Sequence, residues 1–85
     1  MASIDHECKL ADGVHVAPGA TLCGCVIVDE NVMTGAGSLV LPRVKIGRDS
    51  IVGVGAVVTC DVPSGVIVAG NSAAITRPVA TKRLN

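Results

Sequence analysis

The chain has 85 residues, seven basic against seven acidic, and is 49% hydrophobic without a single Phe, Tyr or Trp. That length allows one small domain, whose core alone is marginal without oligomerisation or cross-links. The balanced charge offers no electrostatic case for nucleic acid or an anionic membrane, and no apolar run reaches the length of a membrane span. The charged start MASIDHECKL does not read as a signal peptide. Cys8, Cys23, Cys25 and Cys60 are therefore expected as reduced thiols in the cytoplasm rather than as two disulfides.

Taken in order from Ile4, the chain divides into IDHECK, LADGVH, VAPGAT, LCGCVI, VDENVM, TGAGSL, VLPRVK, IGRDSI, VGVGAV and VTCDVP. Every first letter is aliphatic except Thr34, and every fifth letter is small or β-branched, from Cys8 to Val62. Helices repeat every 3.6 residues and single-faced strands every two, so neither generates this pattern. A sustained period of six marks the hexapeptide parallel β-helix. Each hexapeptide is predicted to be a short strand and a turn with its first side chain inward. Aromatic rings would overfill so narrow a prism. The phase is lost after Pro63. Residues 1–70 are expected to form the β-helix and residues 71–85 a terminal turn and tail, with Ala73 to Thr76 too short for a helix.

The pattern resembles the β-helix of hexapeptide-repeat proteins, in which three hexapeptides make one coil, and this implies that residues 18 apart stack along three edges. One edge carries DHEC, CGCV, LPRV and TCDV. A second carries ADGV, DENV and GRDS, charged and solvated. The third carries APGA, GAGS and GVGA, where Gly19, Gly37 and Gly55 stack beside Pro18, Ala36 and Val54. Turn geometry accounts for glycine at such positions, yet the equivalent position elsewhere is not always glycine. Glycine also lets a ligand lie against the backbone, and a smooth ridge suits a long, thin one.

The segments HEC, VHVAPGATLCG, TGAGSLVLP, KIGRDSIVGVGAVVTCDVP and VIVAGNSA resemble the C-terminal β-helix of bacterial sugar acetyltransferases that use acetyl-CoA. That family includes sialic acid O-acetyltransferases and N-acetyltransferases of UDP-4-amino-sugars. The resemblance implies an all-β, left-handed parallel β-helix of about three to four coils. It further implies a general base at His6 assisted by the acid Glu7, and His15 in contact with acetyl-CoA. The pantetheine arm would run near Ala36, Gly37, Val54 and Gly55, where stacking had already placed the ridge. The implied acceptor is a sugar, either a nucleotide-linked amino sugar or a sialic acid. The implied assembly is a homotrimer with its sites between protomers.

The chemistry suits these residues. Acetyl transfer requires an amine or hydroxyl to lose a proton as it attacks the thioester, and imidazole exchanges protons near neutral pH. A neighbouring carboxylate stabilises the imidazolium that forms, and Asp5 is a second candidate for this part. The oxyanion then needs a donor, from the His15 ring or a backbone N–H. Nine residues separate His6 from His15, half a coil, which puts them on different sides of a prism whose sides are roughly 20 Å long. Two protomers, rather than one, are expected to bring both rings to one acyl group. The apolar last-position stacks His15, Met33, Ile51, Ala69 and Thr21, Leu39, Val57 supply faces for burial between subunits.

The family's full-length enzymes carry a Rossmann-like domain for the nucleotide sugar, and these 85 residues contain no counterpart of it. Cys25 and Asp29 stand where the family has glycine or another small residue, and neither is expected to touch the base. No metal is expected, because two histidines and a CxC pair do not make a zinc site. The tail residues Arg77, Lys82 and Arg83 are read as solubilising charge, with CoA phosphates as the other option. The alternative function is a non-catalytic trimeric β-helix that serves as an assembly or acyl-CoA-binding module.

Overall fold

The computed structural model describes residues 2–79, which contain strands, turns and no helix. Ten two-residue strands follow one another at intervals of six: β1 (Ser3–Ile4), β2 (Lys9–Leu10), β3 (His15–Val16), β4 (Thr21–Leu22), β5 (Ile27–Val28), β6 (Met33–Thr34), β7 (Leu39–Val40), β8 (Lys45–Ile46), β9 (Ile51–Val52) and β10 (Val57–Val58). Two longer strands, β11 (Val66–Ala69) and β12 (Ala74–Pro78), end the described chain. Strands three apart pair in parallel, giving sheets β1-β4-β7-β10, β2-β5-β8 and β12-β11-β9-β6-β3, the three sides of a left-handed prism.

The register is 18 residues per coil: Ile4 lies against Leu22, Val28 against Ile46, and Val16 against Thr34. A two-residue strand has too few hydrogen bonds to stand alone, so each coil is held by its neighbours. Asp5 N–H donates to Leu22 O at 3.1 Å and Lys9 N–H to Val26 O at 2.9 Å. First-position side chains fill the interior. Leu22, Val28, Thr34, Val40, Ile46, Val52 and Val58 are all at most 1% exposed, whereas Ile4 and Leu10 in the first coil remain 44% and 40% exposed. The inward phase read from the sequence thus holds along the prism and opens to solvent at its first coil.

The last coil departs from the 18-residue spacing. Val62 bridges to Ile46, and β11 pairs with β9 as Ile67 to Ile51 and Val68 to Val52, intervals of 16. The neighbour of Ile51 in the stack beginning His15, Met33 is therefore Ile67, not Ala69. The other stack, Thr21, Leu39, Val57, holds in full. The segment beyond residue 70, read as turn and tail, contains β12, which folds back antiparallel on β11 and interrupts its register between Ile67 and Val68. Hairpin pairing and a β-branched run explain why a stretch with no six-residue phase still forms a strand. Lys82 and Arg83 lie outside the described residues, while Arg77 is exposed on β12.

Close approach of coils fixes two glycines, Gly35 and Gly47, where an added Cβ would meet the backbone of the next coil. A Cβ on Gly35 would stand 2.7 Å from Val54 N and 2.8 Å from Gly53 C and Val52 O. Gly35→Ala is expected to cost about 1–3 kcal/mol of unfolding free energy in a denaturant titration, because the clash is with backbone. Ser38 presents the opposite case. Its buried hydroxyl has no hydrogen-bond partner, and the fifth-position residues one coil away on either side are Ala20 and Ala56. Removing an unsatisfied buried hydroxyl is neutral or stabilising. Ser38→Ala should therefore raise the midpoint of the same titration or leave it unchanged.

Candidate functional site

Turns at the prism edges carry the polar chemistry. Their fourth hexapeptide residue takes a left-handed backbone at Gly13, Gly19, Gly37 and Gly55, and also at Cys25, Asn31, Arg43 and Asp49 with φ between 59° and 67°. A side chain in that conformation costs roughly 1–2 kcal/mol, so two edges tolerate what the third avoids. Turn geometry alone does not account for the all-glycine edge. Nothing lies within 4 Å of a Cβ built on Gly37 or Gly55, so the surface over both is open. Glu7 and Asp61, in the same phase at the two ends of the repeat, are not left-handed.

His6 sits at the turn between β1 and β2, its side chain 90% exposed. Its Nδ1 is 3.6 Å from Asp5 Oδ1, and its Nε2 is 3.9 Å from Glu7 Oε2. Asp5 Oδ1 also accepts the Glu7 N–H at 2.9 Å, which closes the turn. One coil along the edge, Cys25 Sγ donates to Glu7 Oε1 at 3.3 Å. Cys25, expected to stay clear of His6, thus touches its acidic neighbour Glu7. The 18-residue stacking of DHEC on CGCV contains this contact, since Glu7 and Cys25 occupy the same phase. A groove lined by His6, Glu7, Cys8, Lys9, Cys25 and Ile27 runs beside them.

His15 lies on β3, in a different sheet from both strands that flank His6. It stands against Met33 in register, and its carbonyl accepts from Thr34 Oγ1 at 3.4 Å. An apolar groove joins His15 to Met33, Ala36, Ile51 and Val54, and Val54 is 79% exposed. The chain therefore groups His15 with Ala36 and Val54, places Gly37 and Gly55 at the adjoining turn positions, and keeps His6 and Glu7 in a separate groove. Met33 and Ile51 were legible in the sequence as the stack that continues from His15, and the register bears this out; that they line a groove with it was not legible. A flexible apolar chain with a few polar groups fits this second groove, and the open ridge leaves it room.

Arg48 pairs with Glu30 at 3.1 Å and Asp49 at 3.7 Å on the solvated second edge. All four cysteines are free, and Cys8 Sγ donates to Cys23 O at 3.0 Å. Among the described residues, no three His, Cys, Asp or Glu side chains converge as a metal site, and no helix is long and apolar enough to cross a membrane.

The Cys25 thiol is pushed above its ordinary range, chiefly by its hydrogen bond to Glu7, while the Arg43 charge opposes the shift. A raised pKa means less thiolate at a given pH, and the thiolate is the nucleophile. Glu7→Ala is therefore expected to speed alkylation of Cys25 by iodoacetamide at mildly alkaline pH, followed by peptide mass spectrometry. An unchanged rate would show that the carboxylate does not hold the thiol.

Residues 25–60 match the bacterial transferase hexapeptide family, six repeats. Over 70 residues the chain is 41% identical to a 2,3,4,5-tetrahydropyridine-2,6-dicarboxylate N-acetyltransferase of Staphylococcus aureus, covering 73% of this chain and 29% of that protein. The chain thus spans under a third of the length of that curated relative. Among solved structures, a galactoside acetyltransferase in complex with coenzyme A superposes with a TM-score of 0.87 at 26% identity, covering 93% of this chain and 50% of the other. An Arabidopsis UDP-N-acetylglucosamine acyltransferase superposes with a TM-score of 0.88 at 35% identity, covering 91% and 27%. With its six-residue phase, its stacked coils and these likenesses, the chain is a hexapeptide-repeat β-helix that resembles the hexapeptide acyltransferases.

Proposed function

We propose that the chain is the β-helix of a cytoplasmic acetyl-CoA-dependent acetyltransferase that acts on an amino or hydroxyl group of a sugar. The observation that carries this reading is the pair of separate grooves, one holding an imidazole between two carboxylates and the other holding His15 on an open small-residue ridge. His6, flanked by Asp5 and Glu7, is the general base. His15, Ala36, Gly37, Val54 and Gly55 receive the acetyl-CoA arm. The galactoside acetyltransferase with coenzyme A and the UDP-N-acetylglucosamine acyltransferase support a sugar acceptor. The dicarboxylate named for the Staphylococcus relative is the competing acceptor class.

In the reaction the acceptor nitrogen or oxygen attacks the thioester carbonyl, and its proton passes to His6. The C–S bond breaks, and the CoA sulfur recovers the proton. His15 or a backbone N–H donates to the oxyanion. Because the two grooves lie on different sides of one prism, the site is shared between neighbouring copies in a homotrimer. Such an assembly also covers a His6 ring that the single chain leaves almost wholly exposed.

Acetyl-CoA turnover with a panel of sugar, amino-sugar and dicarboxylate acceptors tests the proposal. His6→Ala should lower the rate by at least about a hundredfold. His15→Ala should also be impaired. Hetero-oligomers assembled from the two variants should recover part of the activity, since some of their sites contain both histidines. Coenzyme A binding without turnover would instead identify an acyl-CoA-binding module, and the absence of both would remove the enzyme reading.

A further inference from the structure

Resting on the reading of His6 as the base, we infer that the acceptor is an anion, and that Lys9 and Lys45, on the side formed by β2, β5 and β8, hold its phosphate or carboxylate groups. The three sides of the prism differ in what they turn outward. Two carry the largely apolar stacks that begin at Thr21 and at His15. The third carries Lys9, Ile27 and Lys45, in register from one coil to the next. Neighbouring coils lie about 4.8 Å apart, so the two lysine stems start about 10 Å from each other with an apolar side chain between them.

Both lysines are exposed, and both line grooves. Lys9 shares its groove with His6. Lys45 lines the adjoining groove, and Ile27 belongs to both, so the two grooves meet there and follow one side of the prism.

Among the described residues neither lysine has an ion-pair partner, and nor does Arg43, one coil beyond Cys25 on the adjoining edge. The nearby carboxylates are tied to other donors. Glu7 Oε1 accepts the Cys25 thiol at 3.3 Å, Asp29 Oδ1 the Glu30 N–H at 2.8 Å, and Asp61 Oδ1 the Lys45 N–H at 3.0 Å. A lysine ammonium has three N–H donors and no acceptor, so these two are the unmatched donors of this side. Phosphate and carboxylate oxygens match them, and hydrogen bonds between ionised groups are the stronger kind. Arg43 lines neither groove but adds positive potential at their edge. The order along the side then sets the acceptor's form. Its reacting group lies at His6 and its first negative charge at Lys9 in the same groove. A second charge, where the acceptor has one, reaches Lys45 past Ile27.

NMR titration of the full chain at low salt, without acetyl-CoA, tests this. Glucose 6-phosphate and glucuronate are compared with glucose through the Lys9 side-chain and His6 ring resonances. At least one charged sugar should act at concentrations at least about tenfold below glucose, and Lys9→Met should abolish that advantage. A response to glucose 6-phosphate alone assigns the subsite to phosphate, one to glucuronate alone to carboxylate, and one to both to charge as such. Glucose 1,6-bisphosphate should bind more tightly than the monophosphate, and Lys45→Met should remove only that increment. A bisphosphate no tighter than the monophosphate would strike Lys45 from the subsite. Arg77→Met, on β12, should change nothing. Three results would overturn the subsite: equal responses to charged and neutral sugars, an advantage that survives Lys9→Met, or an adventitious ion only, with inorganic phosphate matching glucose 6-phosphate at Lys9 and neither moving His6. His6→Ala should keep the anion response at Lys9. Absence of acetyl transfer would therefore remove the base and leave the subsite standing.

Discussion

The structure depends on the parallel backbone ladder between coils. With strands of two residues, no side of the prism has a sheet until the next coil arrives, and the hydrogen bonds run between residues 18 apart rather than within a local element. Stability is then close to a sum of nearest-neighbour terms, as in other solenoids. The ladder also dictates composition. An interior narrow enough for three converging strands admits Val, Ile, Leu and Thr at first positions and Ala, Ser or Val at fifth positions. Nothing larger fits, and the chain has no aromatic residue.

The same constraint explains what could be read without coordinates. First-position burial follows from counting in sixes, and the three-sided stacking and glycine ridge from adding the 18-residue coil of the resembled fold, because the ladder keeps its register from Ile4 to Val58. What counting missed lies where the count fails. The two-residue contraction before Val62 replaces Ala69 by Ile67, and β12 has a hairpin's logic, not a repeat's. Side chains at Cys25 and Arg43 in left-handed turns were illegible for another reason. Propensity argues against them, and the surrounding ladder over-determines their backbone. The Cys25–Glu7 hydrogen bond was within reach of the stacking rule but needed side-chain positions to be seen.

Half a coil is the spacing that organises the candidate site. It sends His6 to one edge with its carboxylates and His15 to another sheet with the open ridge. A solenoid of this kind cannot bend to bring two of its faces together, since every face is stiffened by the same ladder. Convergence of the two grooves has to come from packing one prism against another. The exposed Met33 and Val54 beside His15, and Ile27 beside the His6 groove, are the apolar groups such packing would cover.

The short last coil has a consequence of its own. A stack in strict phase presents, at its final rung, a surface on which any further rung of the same kind could settle, including one from another molecule. By dropping two residues and then turning β12 back along β11, the chain spoils that template, since a newcomer would meet a bulged register and an antiparallel strand. The departure from the repeat thus denies a further coil of the same kind an in-phase parallel rung on that side of the prism.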